Sequence, residues 1–352
     1  MTFIINQFGW KEYLAHKNYL NIANYDLGQV GRVIIKNKGN YKIVTAEGIK
    51  IARVDGKYKH KISAKKDYPT AGDWVVFKST DNNQAIIQKV LARYNYFARK
   101  FPISGGRKMK NGVLVGGYIE EQIICSNIDT AFIMMGLDQN FNIGRLERYI
   151  TMSLANHLPA VILLNKIDLC QNPQEKYCQA QAIAKEMPVH LISAVSGFGI
   201  EAIGRYFESG KTVVFLGSSG VGKSTLLNQM FSSEVQPVNE VSSSNQKGQH
   251  TTTGTQLFLH EAGFMMMDTP GMRELQLWAD EETIDSNFSD VIELVSRCYY
   301  SNCKHKGDYG CAIEKALQTG ELDQKRYKAY LKQKEEVLRL LAMKKGYVEK
   351  RK

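Results

Sequence analysis

The chain has 352 residues, 43% of them apolar and 23% charged, which excludes a fibrous or wholly disordered protein. Its formal net charge of +11 is uneven: residues 31–110 hold 19 Lys/Arg against 5 Asp/Glu, and residues 324–352 hold 11 against 3. Basic ends around an acidic middle suit a polyanion partner, while apolar runs such as 131–137 fall far short of the roughly 20 residues of a membrane helix.

The opening MTFIINQFGW carries neither the basic start nor the apolar core of a signal peptide. Six scattered Cys suit a reducing compartment. A cytoplasmic, monomeric protein without a membrane segment is therefore expected. From Val30 the chain alternates in short β-rich runs: VGRVII, YKIVTA, IKIARV, DWVVF and AIIQKVL, parted by Gly/Asn turns. Five such runs predict a small barrel of the OB type. Arg93, Tyr94, Tyr96, Phe97, Arg99 and Lys100 follow, either as cations and stacking faces for nucleic acid or as core residues that close the barrel. PISGGRKMKNG (102–112) reads as a basic linker.

The texture then changes. TAFIMMG, AVILLN, HLISA, TVVFLG and FMMMD are continuous apolar runs, the pattern of strands buried on both faces of a parallel sheet. Helical stretches at 143–155, 173–185, 200–208 and 223–231 alternate with them, which predicts an α/β layer with helices on both sheet faces.

Chemistry enters with the loops after these strands. NKID follows the second, where Asp168 can accept hydrogen bonds from guanine N1–H and its exocyclic amine. Adenine offers neither donor there, so it would leave the carboxylate unpaired. Lys166 can cover the base face and Asn165 can brace the loop. SAVSG follows the third strand, placing Ser193 beside the base and the Ala194 N–H at guanine O6. GSSGVGKS follows the fourth and fits the phosphate-loop pattern between a strand and a helix. Gly217, Ser218, Ser219, Gly220, Val221 and Gly222 would cradle the phosphates, Lys223 would reach the β- and γ-phosphates, and Thr225 would follow Ser224 into the helix. Ser224 would ligate Mg²⁺. DTPG closes the fifth strand, with Asp268 near the same Mg²⁺ and the Gly271 N–H sensing the γ-phosphate.

Near the C-terminus, Cys298, Cys303, His305 and Cys311 are spaced C-x₄-C-x-H-x₅-C, a usual ligand set for one structural zinc ion with no open position for catalysis. Cys125, Cys170 and Cys178 have no partner at such spacing. A Lys-rich helix ends the chain.

The motif order is base recognition, phosphate loop, Thr-rich switch (251–253), then DTPG, whereas ordinary GTPases begin with the phosphate loop. The sequence thus resembles circularly permuted GTPases. With the barrel-like leader, the cysteine cluster and the strings GDWVVF, NID, LERY and KGQHTTT, it resembles the RsgA/YjeQ family of ribosome-small-subunit-dependent GTPases. The resemblance implies a multidomain α/β protein: an OB-fold β-barrel domain (1–112), a circularly permuted P-loop GTPase domain (113–283) and a helical zinc-binding module with a basic C-terminal helix (284–352). It also implies GTP and GDP as ligands, the small ribosomal subunit and its rRNA as partner, and hydrolysis that drives release.

Many GTPases orient the attacking water with a Gln after D-x-x-G; Met272 stands here and cannot. His250 is the candidate substitute, or else only holds the switch. Thr252, among Thr251–Thr253, is expected on Mg²⁺, so Lys223, His250 and Thr252 form the expected catalytic set. Two other readings stay open: a permuted GTPase acting on the large subunit or another RNA, and an RNA-binding module with nucleotide as a structural ligand.

Overall fold

The alternation of short β-branched runs with glycine turns becomes a closed barrel. In the computed structural model, residues 2–16, 26–37, 39–62, 64–80, 83–100, 108–110, 113–115, 121–218, 220–230, 255–268 and 279–348 are described. The first part of the chain holds helices α1 (Thr2–Gln7), α2 (Trp10–His16) and α3 (Gly56–Lys61). Its strands are β1 (Val30–Lys36), β2 (Tyr41–Thr45), β3 (Gly48–Val54), β4 (Trp74–Ser79), β5 (Gln84–Val90) and β6 (Tyr96–Lys100), followed by the short β7 (Lys108–Lys110) and β8 (Val113–Val115).

The middle holds β9 (Glu121–Ser126), β10 (Thr130–Gly136), α4 (Ile143–Ala155), β11 (Ala160–Asn165), α5 (Pro173–Ala184) and β12 (Val189–Leu191). It continues through α6 (Ile200–Ile203), β13 (Thr212–Leu216), α7 (Lys223–Met230), β14 (Gln256–Leu259) and β15 (Met265–Asp268). Helices α8 (Glu281–Asn287), α9 (Ser289–Ser296), α10 (Ala312–Thr319) and α11 (Gln324–Val348) complete the chain.

The chain divides into two compact units: residues 1–98, 121–141 and 156–274 form one, and 99–120, 142–155 and 275–352 the other.

In the first unit, the strands β1, β2, β3, β5 and β4 pair in that order and β4 returns to β1, closing the barrel. The β3–β5 pair is parallel and the others antiparallel, which is OB topology. Val33, Ile43, Ala52, Val75, Phe77 and Ile87 alternate inward to fill it. Phe97 is fully buried, and Arg93 is engaged by both carboxylate oxygens of Asp73 at 2.7 Å and by the Lys66 carbonyl at 2.7 Å. Of the two readings of the aromatics, core closure therefore holds at Phe97, while Arg93 is a half-buried partner of Asp73.

The same unit carries the α/β layer. Its strands run β12-β11-β10-β13-β15-β14, parallel except for β14, which is antiparallel to β15 and pairs on its other side with β1 of the barrel. Phe132, Leu163, Val213, Phe215, Phe264 and Met266 build the core. From β10 the chain moves outward to β11 and β12, then returns to β13 on the other side of β10. Connections leave in opposite directions from β10 and β13, so a crevice opens at their carboxyl ends, where ligands bind in such sheets.

Arg32 of β1 joins barrel to layer. It is 2% exposed and donates to the carbonyls of Phe8, Gly72 and Asn127 and to Thr212 Oγ1. Gly72 and Asp73 show why GDW stands here. A Cβ at Gly72, which has φ +93°, would collide with the Ser126 carbonyl. The fully buried Asp73 accepts from Arg93, Ser126 and the Thr70 N–H. Asn127 of NID donates to the Gly72 carbonyl, and Asp129 accepts from the Thr212 N–H at 2.8 Å.

The second unit packs α4 with the C-terminal helices. Leu146, Tyr149, Ile150 and Met152 form the buried face of α4, with Ile284, Phe288, Tyr330 and Val337 buried in the same unit. Glu147, 1% exposed, pairs with Arg326 at 2.8 Å, and Arg326 also holds Asp290 and lies over the Phe288 ring. Thr151 bonds Gln333 and Asn287, both at 2.8 Å. LERY is thus a packing string of the second unit.

Candidate functional site

The loops after β11, β12 and β13 meet at the carboxyl edge of the parallel strands. Asn165, at the end of β11, is 1% exposed and holds two of them at once. Its Nδ2 donates to the Val221 carbonyl of the phosphate loop at 2.8 Å, and its Oδ1 accepts from the Ala194 N–H at 2.9 Å. A Cβ at Gly222, φ +97°, would strike Asn165 Nδ2, so both the backbone conformation and this approach require glycine.

Asp168 lies in the exposed loop beyond β11, and the buried Ser193 hydroxyl donates to its Oδ1 at 2.5 Å. The Ser196 N–H donates to the same hydroxyl, fixing its proton toward the carboxylate. The base-recognition acid is therefore aimed before a base arrives. Lys166 adopts a left-handed backbone, φ +68°, and its Nζ bonds Asp138 Oδ2 at 2.7 Å. That bond lowers the Asp138 carboxyl below its ordinary range, assisted by the Asn140 N–H. Asp138 was missed by sequence reasoning, since it belongs to no motif string. The signal was its position just past the carboxyl end of a buried strand.

Gly217 is buried at the end of β13, Lys223 begins α7, and Ser224 and Thr225 are exposed in its first turn. Lys223 Nζ bonds the carbonyls of Gly217 and Ser218 at 2.8 and 3.1 Å, so its ammonium lies within the loop that would hold phosphate. The start of α7 adds backbone N–H groups and the positive end of a helix dipole. Asp268 ends β15 opposite Gln256. Ser219, His250, Thr251–Thr253, Gly271 and Met272 lie outside the described residues, as does the side chain of Asp268. The structure thus brings together Asn165, Lys166, Asp168, Ser193, Ala194 and residues 217–225 apart from Ser219.

In the second unit, one donor atom each from Cys298, Cys303, His305 and Cys311 lies within 4.8 Å of all the others. His305 Nδ1 is 3.6 Å from Cys298 Sγ and 3.5 Å from Cys311 Sγ. A tetrahedral ion with Zn–S near 2.3 Å and Zn–N near 2.0–2.1 Å sets this edge at about 3.6 Å. Desolvation, then hydrogen bonding with Cys311 and Cys298, pushes the Cys303 thiol up to about 12. A bound cation would hold such thiols as thiolates instead, so donor set and geometry fit a metal ion.

A family model described as RsgA GTPase matches residues 109–278. A small ribosomal subunit biogenesis GTPase RsgA 1 of Oceanobacillus iheyensis is 36% identical over 91% of this chain and 88% of its own length. RsgA of Syntrophotalea carbinolica is 35% identical over 95% of this chain and 89% of its own. Among solved structures, YjeQ from Thermotoga maritima matches 88% of this chain and 98% of its own with a TM-score of 0.59 at 23% identity. YloQ, described as a circularly permuted GTPase, matches 88% and 94% with a TM-score of 0.55 at 24% identity. With the base-recognition strands β11 and β12 preceding the phosphate-loop strand β13 in the chain yet separated from it in the sheet only by β10, the chain belongs to the RsgA family of circularly permuted small ribosomal subunit biogenesis GTPases.

Proposed function

We propose that this chain acts in the cytoplasm as a monomer, binds the small ribosomal subunit through its rRNA, and leaves the particle when GTP is hydrolysed. The carrying observation is Asn165. One buried amide ties the guanine-recognition loops to the phosphate loop across β11, β10 and β13, so a single ligand with guanine at one end and phosphates at the other fits.

The residues divide the work. Asp168, oriented by Ser193, selects the base, and Lys166, held by Asp138, lies along its face. Residues 217–222 and the start of α7 receive the phosphates, and Lys223 exchanges its carbonyl partners for the β- and γ-phosphate oxygens. Water attacks the γ-phosphorus as the bond to the β–γ bridging oxygen breaks, giving GDP and phosphate. His250 is assigned to orient that water. The hard oxygens of Ser224, Thr252 and Asp268 would hold Mg²⁺, which neutralises charge on the phosphates. Cys298, Cys303, His305 and Cys311 would hold one zinc ion, which supplies folding energy to a loop with little core. Segments 1–112, 113–283 and 284–352 serve as RNA-binding, GTPase and zinc modules.

GTP turnover with and without purified small subunits tests this reading. Stimulated turnover that His250→Ala abolishes, with GTP affinity retained, is the expected result. Equal affinity for ATP and GTP, or no stimulation by the subunit, overturns it.

A further inference from the structure

Three large rings stand in the open beside the metal cluster. Tyr299, Tyr300 and Tyr309 are 70, 48 and 78% exposed. Tyr299 meets Tyr300 at 4.8 Å between centroids and 87° between planes, and Tyr309 at 5.8 Å and 82°. These perpendicular contacts leave ring faces unstacked by one another. The rings are also pre-positioned. The Tyr299 N–H donates to the Gly310 carbonyl, the Cys303 N–H to the Tyr300 carbonyl and the Cys311 N–H to the Asp308 carbonyl. A Cβ at Gly310, φ +66°, would come 2.7 Å from Tyr299 Cβ, so this approach depends on glycine.

The surroundings select the partner. No exposed aliphatic side chain lies between Cys298 and Cys311; the other exposed residues are Ser301, Asn302, Lys304, Lys306, Gly307 and Gly310. The loop's carboxylates turn to backbone: Asp308 accepts from the N–H groups of Lys304 and Lys306, and Glu314 from that of Gly307. Aromatic faces in a loop that exposes lysines and no aliphatic side chain suit stacked bases on a phosphate chain more than an apolar peptide.

We propose that Tyr299, Tyr300 and Tyr309 form a stacking platform for unpaired nucleotides of single-stranded RNA, with Lys304 and Lys306 contacting the adjoining phosphates. The platform rests on the reading that RNA of the small subunit is the partner. Stacking tolerates any base, so its contribution is independent of sequence and nearly independent of salt, whereas the lysine contacts carry a salt dependence.

The test uses the full metal-loaded chain and unstructured oligoribonucleotides of about 12 nucleotides, within the span single-strand binders cover. Tyr299→Leu/Tyr309→Leu is expected to weaken binding about tenfold or more with an unchanged salt slope. Tyr299→Phe/Tyr309→Phe keeps wild-type affinity, and basal GTP turnover is the same in all three proteins. Should the Leu variant lose its metal, oligomers carrying 5-iodouridine, irradiated on the wild type, decide the matter: cross-links at Tyr299, Tyr300 or Tyr309 are expected, and cross-links elsewhere alone overturn the platform. Wild-type affinity in the metal-loaded Leu variant overturns it. So does loss of subunit association with oligomer affinity intact, which makes the occupant a protein. If subunits stimulate GTP turnover while the oligomers do not bind, the platform fails and the broader function stands; if subunits do nothing, the broader function fails.

Discussion

Asp138 illustrates how a residue outside every motif can tune one. Its carboxylate holds Lys166 at 2.7 Å, and Lys166 is in turn confined to a left-handed backbone. In Asp138→Asn the ammonium loses its charged partner but Asp168 keeps the Ser193 hydroxyl. GTP and GDP affinities should fall together, by about two- to fivefold, while preference for guanine over adenine persists; titration calorimetry with the three nucleotides checks this. His260 makes a second case. Burial against Phe264 depresses its pKa below the ordinary 6.5, with Glu261 pulling weakly the other way. The unfolded chain therefore takes up this proton first as pH drops. The stability attached to His260 is complete above about pH 6.5 and is lost as pH falls through the lower folded value. Thermal midpoints between pH 7.5 and 5 should decline less steeply in His260→Asn than in the wild type.

Among elements, the ion pairs of α4 and α11 matter more for what happens when one partner is removed than for the pair itself. Glu147 is buried, and desolvation raises its carboxyl despite Arg326. Arg326→Ala strands that charge and should cost about 3–5 kcal/mol in denaturant unfolding, whereas replacing both partners by apolar residues of similar size should cost far less. The Cys/His loop is the other dependent element. Chelation should unfold residues 298–311 and remove hydrogen-exchange protection there, while GTP still binds. The sequence showed these elements unequally. The parallel strands were legible because continuous apolar runs have few other uses, and the nucleotide loops because glycine, lysine and aspartate stand at fixed places after them. The leader helices α1 and α2 were not, since Trp10 and Tyr13 gain their meaning only from contact with Trp74 of barrel strand β4. The partnership of α4 with α8 and α11 was hidden for the same reason: Thr151, Asn287 and Gln333 carry no local pattern.

For the whole molecule, chain order and spatial order are separate matters. The base-recognition strands come before the phosphate-loop strand in sequence and stand one strand away from it in the same sheet, so rearranging the connections leaves the pocket's chemistry intact. The more consequential feature is the guanidinium of Arg32. Four oxygen partners drawn from the leader, the barrel and the nucleotide-binding layer converge on it. No swivel exists at that seam: tilting the barrel would break several charge-assisted bonds at once in a place water does not reach. Barrel and nucleotide-binding layer therefore travel as one solid piece, and any change that nucleotide brings to this unit is expected in the loops at its rim rather than as a tilt of the barrel.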